Sequence, residues 1–350
     1  MRTGATLPVG VRMQRTIIKG VGRLPAVVRR QASVASPINT SGDRLDPYLG
    51  LICQAAEKIP AFNMHDHNVV VARKRLEASA KMMVPDFAPF TVEEDLVFDG
   101  PAGPLRATRY RAGRSSLGLV VFYHGGGWTL GSRASHVGMA KALAADAGVD
   151  VLSVEYRLAP EHPFPAAYDD AMAAWRYAVS RAADWGLDPH KIGVAGDSAG
   201  GNLAAVVAQQ TRGDDVVPAH QLLIYPAVDL AVDLPSKDEF ASGRFLTREH
   251  MDWFVDNYIP DPADRGDLRA SPLRAEDFSD LPPAHVVLAG FDPLRDEGIA
   301  YAEALRDAGV PVTVDRVGPM CHGFLSMTML SPEARDSAVR AAAAVADALR

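Results

Sequence analysis

Short apolar runs at 119–123, 151–154, 192–195, 221–225 and 286–289 alternate with alanine-rich or amphipathic stretches at 134–147, 167–183, 199–210 and 296–308. Nearly unbroken apolar strands interleaved with helices predict an α/β fold: a mainly parallel sheet covered on both faces. Right-handed crossovers then bring the loops at the strands' carboxyl ends to one edge of the sheet, where ligands bind in such folds. The run 312–317 is more mixed and reads as a strand nearer the edge, and 332–349 reads as a last helix. Before the alternation begins, 92–98 and 105–111 read as two antiparallel strands joined by Asp99-Gly100-Pro101-Ala102-Gly103-Pro104.

One interval breaks the pattern. Between Pro226 and Pro283 the chain carries Phe240, Phe245, Trp253, Phe254 and Tyr258 among several prolines. That is too long for a simple connection and too aromatic for a disordered linker. It reads as an insertion packed over the sheet's ligand edge together with N-terminal helices, which include apolar segments at 49–56 and 69–83. The expected organisation is an N-terminal cap segment over 1–90, a core over 91–228, a cap insertion over 229–281 and the rest of the core over 282–350.

Composition narrows the partners. A net charge of −7 disfavours nucleic acid. Cys53 and Cys321, the two cysteines, indicate no disulfide framework or cysteine zinc site and fit a reducing compartment, so a cytoplasmic location is expected. No apolar run approaches the ~20 residues that span a bilayer. Residues 1–42 differ from the rest: Arg2, Arg12, Arg15, Lys19, Arg23, Arg29 and Arg30 occur there with no acidic residue, and apolar positions recur at near-helical spacing. Three readings fit this basic amphipathic leader: a helix packed on the lid, an arm on an anionic membrane surface, or an organellar transit peptide.

The chemistry centres on Gly196-Asp197-Ser198-Ala199-Gly200, which lies between a strand and a helix. A serine on so tight a turn is exposed as a nucleophile, and flanking glycines meet the steric demand. Its hydroxyl needs a base, usually an imidazole oriented by a carboxylate. Four histidines follow Ser198. His220 and His285 each open a strand, the wrong end of the sheet, and His250 lies in the insertion. His322 follows the 312–317 strand and the expected turn Gly318-Pro319-Met320. Asp292 likewise follows a strand and the expected turn Gly290-Phe291, whereas Asp296 and Glu297 open the next helix, where acids have a capping role. His124-Gly125-Gly126-Gly127-Trp128, directly after 119–123, offers bare backbone N–H groups for a developing oxyanion, with the N–H of Ala199 as a further donor. No Gly-Lys-Ser or Gly-Lys-Thr follows, so the loop does not read as a phosphate cradle.

Other candidates are weaker. Asp197 is expected to brace the turn. Trp128, Asp197 and Tyr225 are carried as candidate pocket lining, with Phe245, Trp253 and Phe254 behind them. His65-Asp66-His67 lacks a further ligand cluster, so no metal is expected. Cys321 reads as a small buried thiol rather than a nucleophile.

The stretches Tyr156-Arg-Leu-Ala-Pro-Glu-His-Pro-Phe-Pro-Ala-Ala167, Gly196-Asp-Ser-Ala-Gly-Gly-Asn-Leu203, Asp292-Pro-Leu-Arg-Asp-Glu297 and His322-Gly-Phe324, with the loop at 124–128, resemble the hormone-sensitive-lipase group of α/β-hydrolase esterases, bacterial family IV. The resemblance runs from about residue 90 to the C-terminus, with Pro319 standing where the group usually has glycine. It implies an α/β-hydrolase fold with a helical cap and a Ser198, Asp292, His322 triad. It favours Gly126, Gly127 and Ala199 as oxyanion donors, with Gly125 still open, and 156–167 as support for that loop. It further implies carboxylic esters of short to medium acyl length as substrates, without cofactor. A lipid-surface lipase and a deacetylase or amidase on small acetylated molecules are the nearer alternatives, and a non-catalytic receptor on the same fold the more distant one. Members of the group are often dimers through the sheet edge, so a second copy is an expected partner. Since the histidine must be neutral to take a proton, activity is expected to rise through roughly pH 6 to 7.5; a flat rate profile across that range would exclude histidine as the base.

Overall fold

The computed structural model describes residues 36–50, 53, 68–243 and 245–350. Most of the basic leader, all of its charged residues and the His65-Asp66-His67 motif lie outside the described residues. No described helix is long and apolar enough to cross a membrane.

A single sheet of eight strands organises the chain. Its strands are β1 (Val92–Gly100), β2 (Gly103–Arg111), β3 (Leu119–Tyr123), β4 (Asp150–Glu155), β5 (Ile192–Asp197), β6 (Gln221–Ile224), β7 (Ala284–Phe291) and β8 (Val312–Cys321). They lie in the order β1-β2-β4-β3-β5-β6-β7-β8, antiparallel at β1–β2 and β2–β4 and parallel elsewhere. All five residues of β3 are buried because both faces are covered. Leu119, Val121 and Tyr123 join one core cluster, while Val120 and Phe122 join the other. This period of two shows why the sequence there reads as a continuous apolar run.

Helices α1 (Val69–Met83), α2 (Val137–Ala147), α3 (Ala166–Arg181), α4 (Ala199–Gln210), α5 (Pro235–Glu239), α6 (Arg248–Tyr258), α7 (Arg295–Asp307) and α8 (Pro332–Ala348) surround the sheet. Buried residues of α3, α4 and α7, among them Trp175, Leu203 and Tyr301, fill one cluster; those of α2 and α8, among them Leu143 and Val345, fill the other. Each face of the sheet therefore has its own core.

Two expected turns are instead strand. Gly290-Phe291 belongs to β7, and Gly318-Pro319-Met320 to β8. A shift of register between Ala289 and Phe291 absorbs the mismatch, so pairing resumes at Phe291 and Cys321. The sheet thus delivers Asp292 and His322 directly from its ends. A segment ahead of α1 buttresses both: Asn39 Nδ2 donates to the Gly290 carbonyl at 2.9 Å, and the Asp46 N–H donates to the Pro319 carbonyl at 2.8 Å. Pro319 has no N–H to give, but its carbonyl is put to use.

The insertion sits over the carboxyl edge. Thr247 caps α6 by accepting the His250 N–H at 3.2 Å, and the stacked rings of Tyr258 and Trp128 lie 4.6 Å apart, joining α6 to the loop after β3. From the other side, Arg73 of α1 donates to the carbonyls of Thr129 and Ala159, each at 2.8 Å, and pairs with Glu161. Helices α1 and α6 are therefore both anchored on the loop after β3.

Candidate active site

Ser198 occupies the turn from β5 to α4 with φ 55 and ψ −119, a conformation few side chains tolerate. Its N–H donates to the Ile224 carbonyl at 2.8 Å. The turn is tight enough that a Cβ on Gly200 would stand 2.0 Å from the Tyr123 carbonyl oxygen. Gly200→Ala is therefore expected to destabilise the fold by at least ~1–3 kcal/mol through overpacking, read as a lowered thermal midpoint; an unchanged midpoint would contradict this geometry.

Three predicted residues come together across the sheet. His322 Nε2 lies 3.0 Å from Ser198 Oγ, and His322 Nδ1 lies 2.8 Å from Asp292 Oδ2. The other carboxylate oxygen of Asp292 accepts the Leu294 N–H at 2.8 Å, which fixes the side chain. Asp292 is fully buried and His322 nearly so. Gly323 takes a left-handed φ of 78 and turns the chain immediately after the histidine.

The competing acids are engaged elsewhere. Asp296 accepts the Ser236 N–H at 2.9 Å, and Glu297 accepts the Val228 N–H at 2.7 Å while facing Lys237 at 3.3 Å. Burial, partly offset by Lys237, raises the Glu297 carboxyl pKa to about 7. His220 and His285 are buried at the amino ends of β6 and β7, and burial pushes His220 down to about 4. Cys321 is buried; a hydrogen bond with the Cys53 thiol and burial raise its pKa well above the ordinary thiol value, leaving no thiolate to attack.

The glycine loop separates its own members. The Gly125 N–H donates to Asp197 Oδ1 at 2.8 Å, so Gly125 is corrected from candidate oxyanion donor to anchor. No hydrogen bond among the described residues takes the N–H of Gly126, Gly127 or Ala199. The segment at 156–167 holds the loop from behind: Tyr156 Oη donates to the His124 carbonyl at 2.6 Å, and the Ala159 N–H donates to the Trp128 carbonyl at 2.8 Å.

A cavity of about 1230 Å³ opens on Ser198 and His322. Gly126, Gly127, Trp128 and Asp197 line it, as do Phe245 and Phe254 from the insertion and Leu76 and Met83 from α1. Tyr225 is corrected: it lies outside the lining, fully buried, with its ring 4.7 Å from the His322 ring, and so packs against the imidazole. Two further contributors, Arg73 and His136, carry no signal in the sequence, because their partners lie far along the chain. His136 faces Asp197 at 3.4 Å.

Comparison with known proteins agrees with this fold. A family model described as alpha/beta hydrolase fold matches residues 120–326. Carboxylic ester hydrolase LipN of Mycobacterium tuberculosis is 41% identical over 332 residues, covering 91% of this chain and 88% of its own length. Carboxylesterase NlhH of the same species is 41% identical over 313 residues, covering 87% and 96%. A solved hyperthermophilic esterase from the archaeon Pyrobaculum calidifontis has a TM-score of 0.82 at 40% identity, covering 87% of this chain and 98% of that one.

Proposed function

The chain belongs to the α/β-hydrolase family, in its hormone-sensitive-lipase-like group of serine carboxylesterases, and from that premise we propose that Ser198, His322 and Asp292 carry out its ester hydrolysis. The hydrogen-bonded chain from Ser198 Oγ through His322 to Asp292, with Ser198 and His322 lining the cavity, is the observation that carries this reading. His322 Nε2 takes the hydroxyl proton as Ser198 Oγ attacks the acyl carbon. Asp292 holds the ring so that Nδ1 bears its hydrogen, and it stabilises the imidazolium that forms. The N–H groups of Gly126, Gly127 and Ala199 receive the oxyanion; each such donor contributes roughly 3 kcal/mol. The C–O bond to the alcohol breaks with the proton passing from His322 to the leaving oxygen. Water then repeats the attack on the acyl-enzyme, with His322 again as base, and the acid departs.

The substrates are carboxylic esters of short to medium acyl length. The apolar wall of Leu76, Met83, Phe245 and Phe254 around a cavity of about 1230 Å³ supports an apolar acyl group, for which it has ample room. The test is hydrolysis of p-nitrophenyl esters from acetyl to palmitoyl. An optimum at short or medium chains is expected; an optimum at palmitoyl would overturn the length assignment and favour a lipid-surface lipase.

A further inference from the structure

A buried charged pair lies behind the loop that carries the proposed oxyanion donors. His136, at the start of α2, is buried with both ring nitrogens turned to polar partners. Ser135 Oγ lies 2.8 Å from Nδ1 and 3.0 Å from the Ser132 carbonyl oxygen. Nε2 faces Asp197 Oδ2 at 3.4 Å. A carboxylate this close to a buried imidazole favours its protonated form. Electrostatics agree: burial disfavours the His136 cation, but the Asp197 carboxylate outweighs it and the pKa lies above the ordinary histidine value. Asp197 is penalised by burial in turn, yet His136 holds it below the usual carboxylate range. His124, with its ring 5.4 Å from that of His136, goes the other way; burial first and the His136 charge second push it down to about 3.

The second oxygen of Asp197 is the one that holds Gly125. A Cβ at Gly125 would stand 2.5 Å from Oδ2, so the contact requires glycine there. Asp197 also immediately precedes Ser198, and one carboxylate therefore ties the loop after β3 to the serine turn. We propose that His136 is a positioning residue for ester hydrolysis: through Asp197 it locks Gly125, and with it the N–H groups of Gly126 and Gly127, at a fixed distance from Ser198 Oγ. Without the cation the buried carboxylate loses its compensating charge and the loop its register. Donors stabilise an oxyanion only when they are already in place. This inference rests on the oxyanion roles proposed above.

The experiment measures kcat and KM for p-nitrophenyl butyrate, and the affinity of phenylboronic acid, whose serine adduct places an oxygen where the oxyanion forms. Wild type and Ser198→Ala are compared with His136→Gln, His136→Lys, Asp197→Asn and the His136→Gln/Asp197→Asn pair. His136→Gln is expected to lower kcat by roughly 10- to 100-fold with KM within about twofold, and to weaken boronate binding by a similar factor. The double variant should lose no more than either single one, because both changes break the same link. His136→Lys, which keeps a cation opposite Asp197, should recover much of the loss. Asp197→Asn supplies the same readout if His136→Gln does not fold. A folded His136→Gln with wild-type kcat, a loss carried by KM alone, or multiplicative losses in the double variant would overturn the proposal. Full activity in Ser198→Ala would instead overturn the esterase roles themselves.

Discussion

Ser198→Ala is expected to lower kcat on a short-chain p-nitrophenyl ester by on the order of 10⁵-fold or more, with the fold intact. The hydroxyl is the one group placed 3.0 Å from an imidazole that is itself held by a buried carboxylate. No neighbouring side chain can replace it: Asp197 is committed to Gly125 and His136, and the Cys321 thiol is buried and protonated. Alanine keeps the Cβ that serine already carries at φ 55, so the backbone strain of the turn is unchanged and stability should hold. Residual activity above water would come from the oxyanion donors and binding alone. The check is kcat together with the thermal midpoint; a folded variant retaining a tenth of wild-type turnover would place the nucleophile elsewhere.

Asp292→Asn is expected to cost about 10⁴-fold in kcat while leaving the architecture in place. Asparagine preserves the volume and can still accept the Leu294 N–H that Asp292 accepts now. Its amide nitrogen, however, would face His322 Nδ1 as a donor. That turns the imidazole to the tautomer with hydrogen on Nε2, the nitrogen that must accept the Ser198 proton. The loss should therefore fall on kcat, with KM changed little. A loss below tenfold would mean that Asp292 does not set the tautomer, and that the buried contact at 2.8 Å serves only stability.

The fold was legible because its signals are local. A strand covered on both faces needs apolar residues throughout, and β3 shows this in five consecutive positions. The proposed triad was legible for a related reason: in a parallel sheet the loops at the carboxyl ends gather along the edge where ligands bind, and Ser198, Asp292 and His322 each stand there. The capping role of acids at a helix start likewise set Asp296 and Glu297 aside. What the sequence hid depends on contacts between distant residues. The Gly125 N–H stays among the oxyanion candidates in the sequence because its carboxylate partner stands 72 residues away. Tyr225 is carried as candidate pocket lining, yet it is buried with its ring 4.7 Å from that of His322. The continuation of β7 and β8 through glycine and proline was hidden because a register shift, not a propensity, sustains the pairing. His136 lies before the serine in the chain and carries no motif, so its link to the loop appears only in three dimensions.

Reaction of the protein with diethyl p-nitrophenyl phosphate, followed by peptide mass mapping, tests the central claim most directly. An activated serine displaces p-nitrophenolate and keeps the diethylphosphoryl group, while an inactive hydroxyl does not react on the same timescale. The account predicts one label, on the peptide carrying Ser198, formed in step with loss of esterase activity and nearly absent from His322→Ala. A label on any other residue, or full inactivation with Ser198 unmodified, would contradict it.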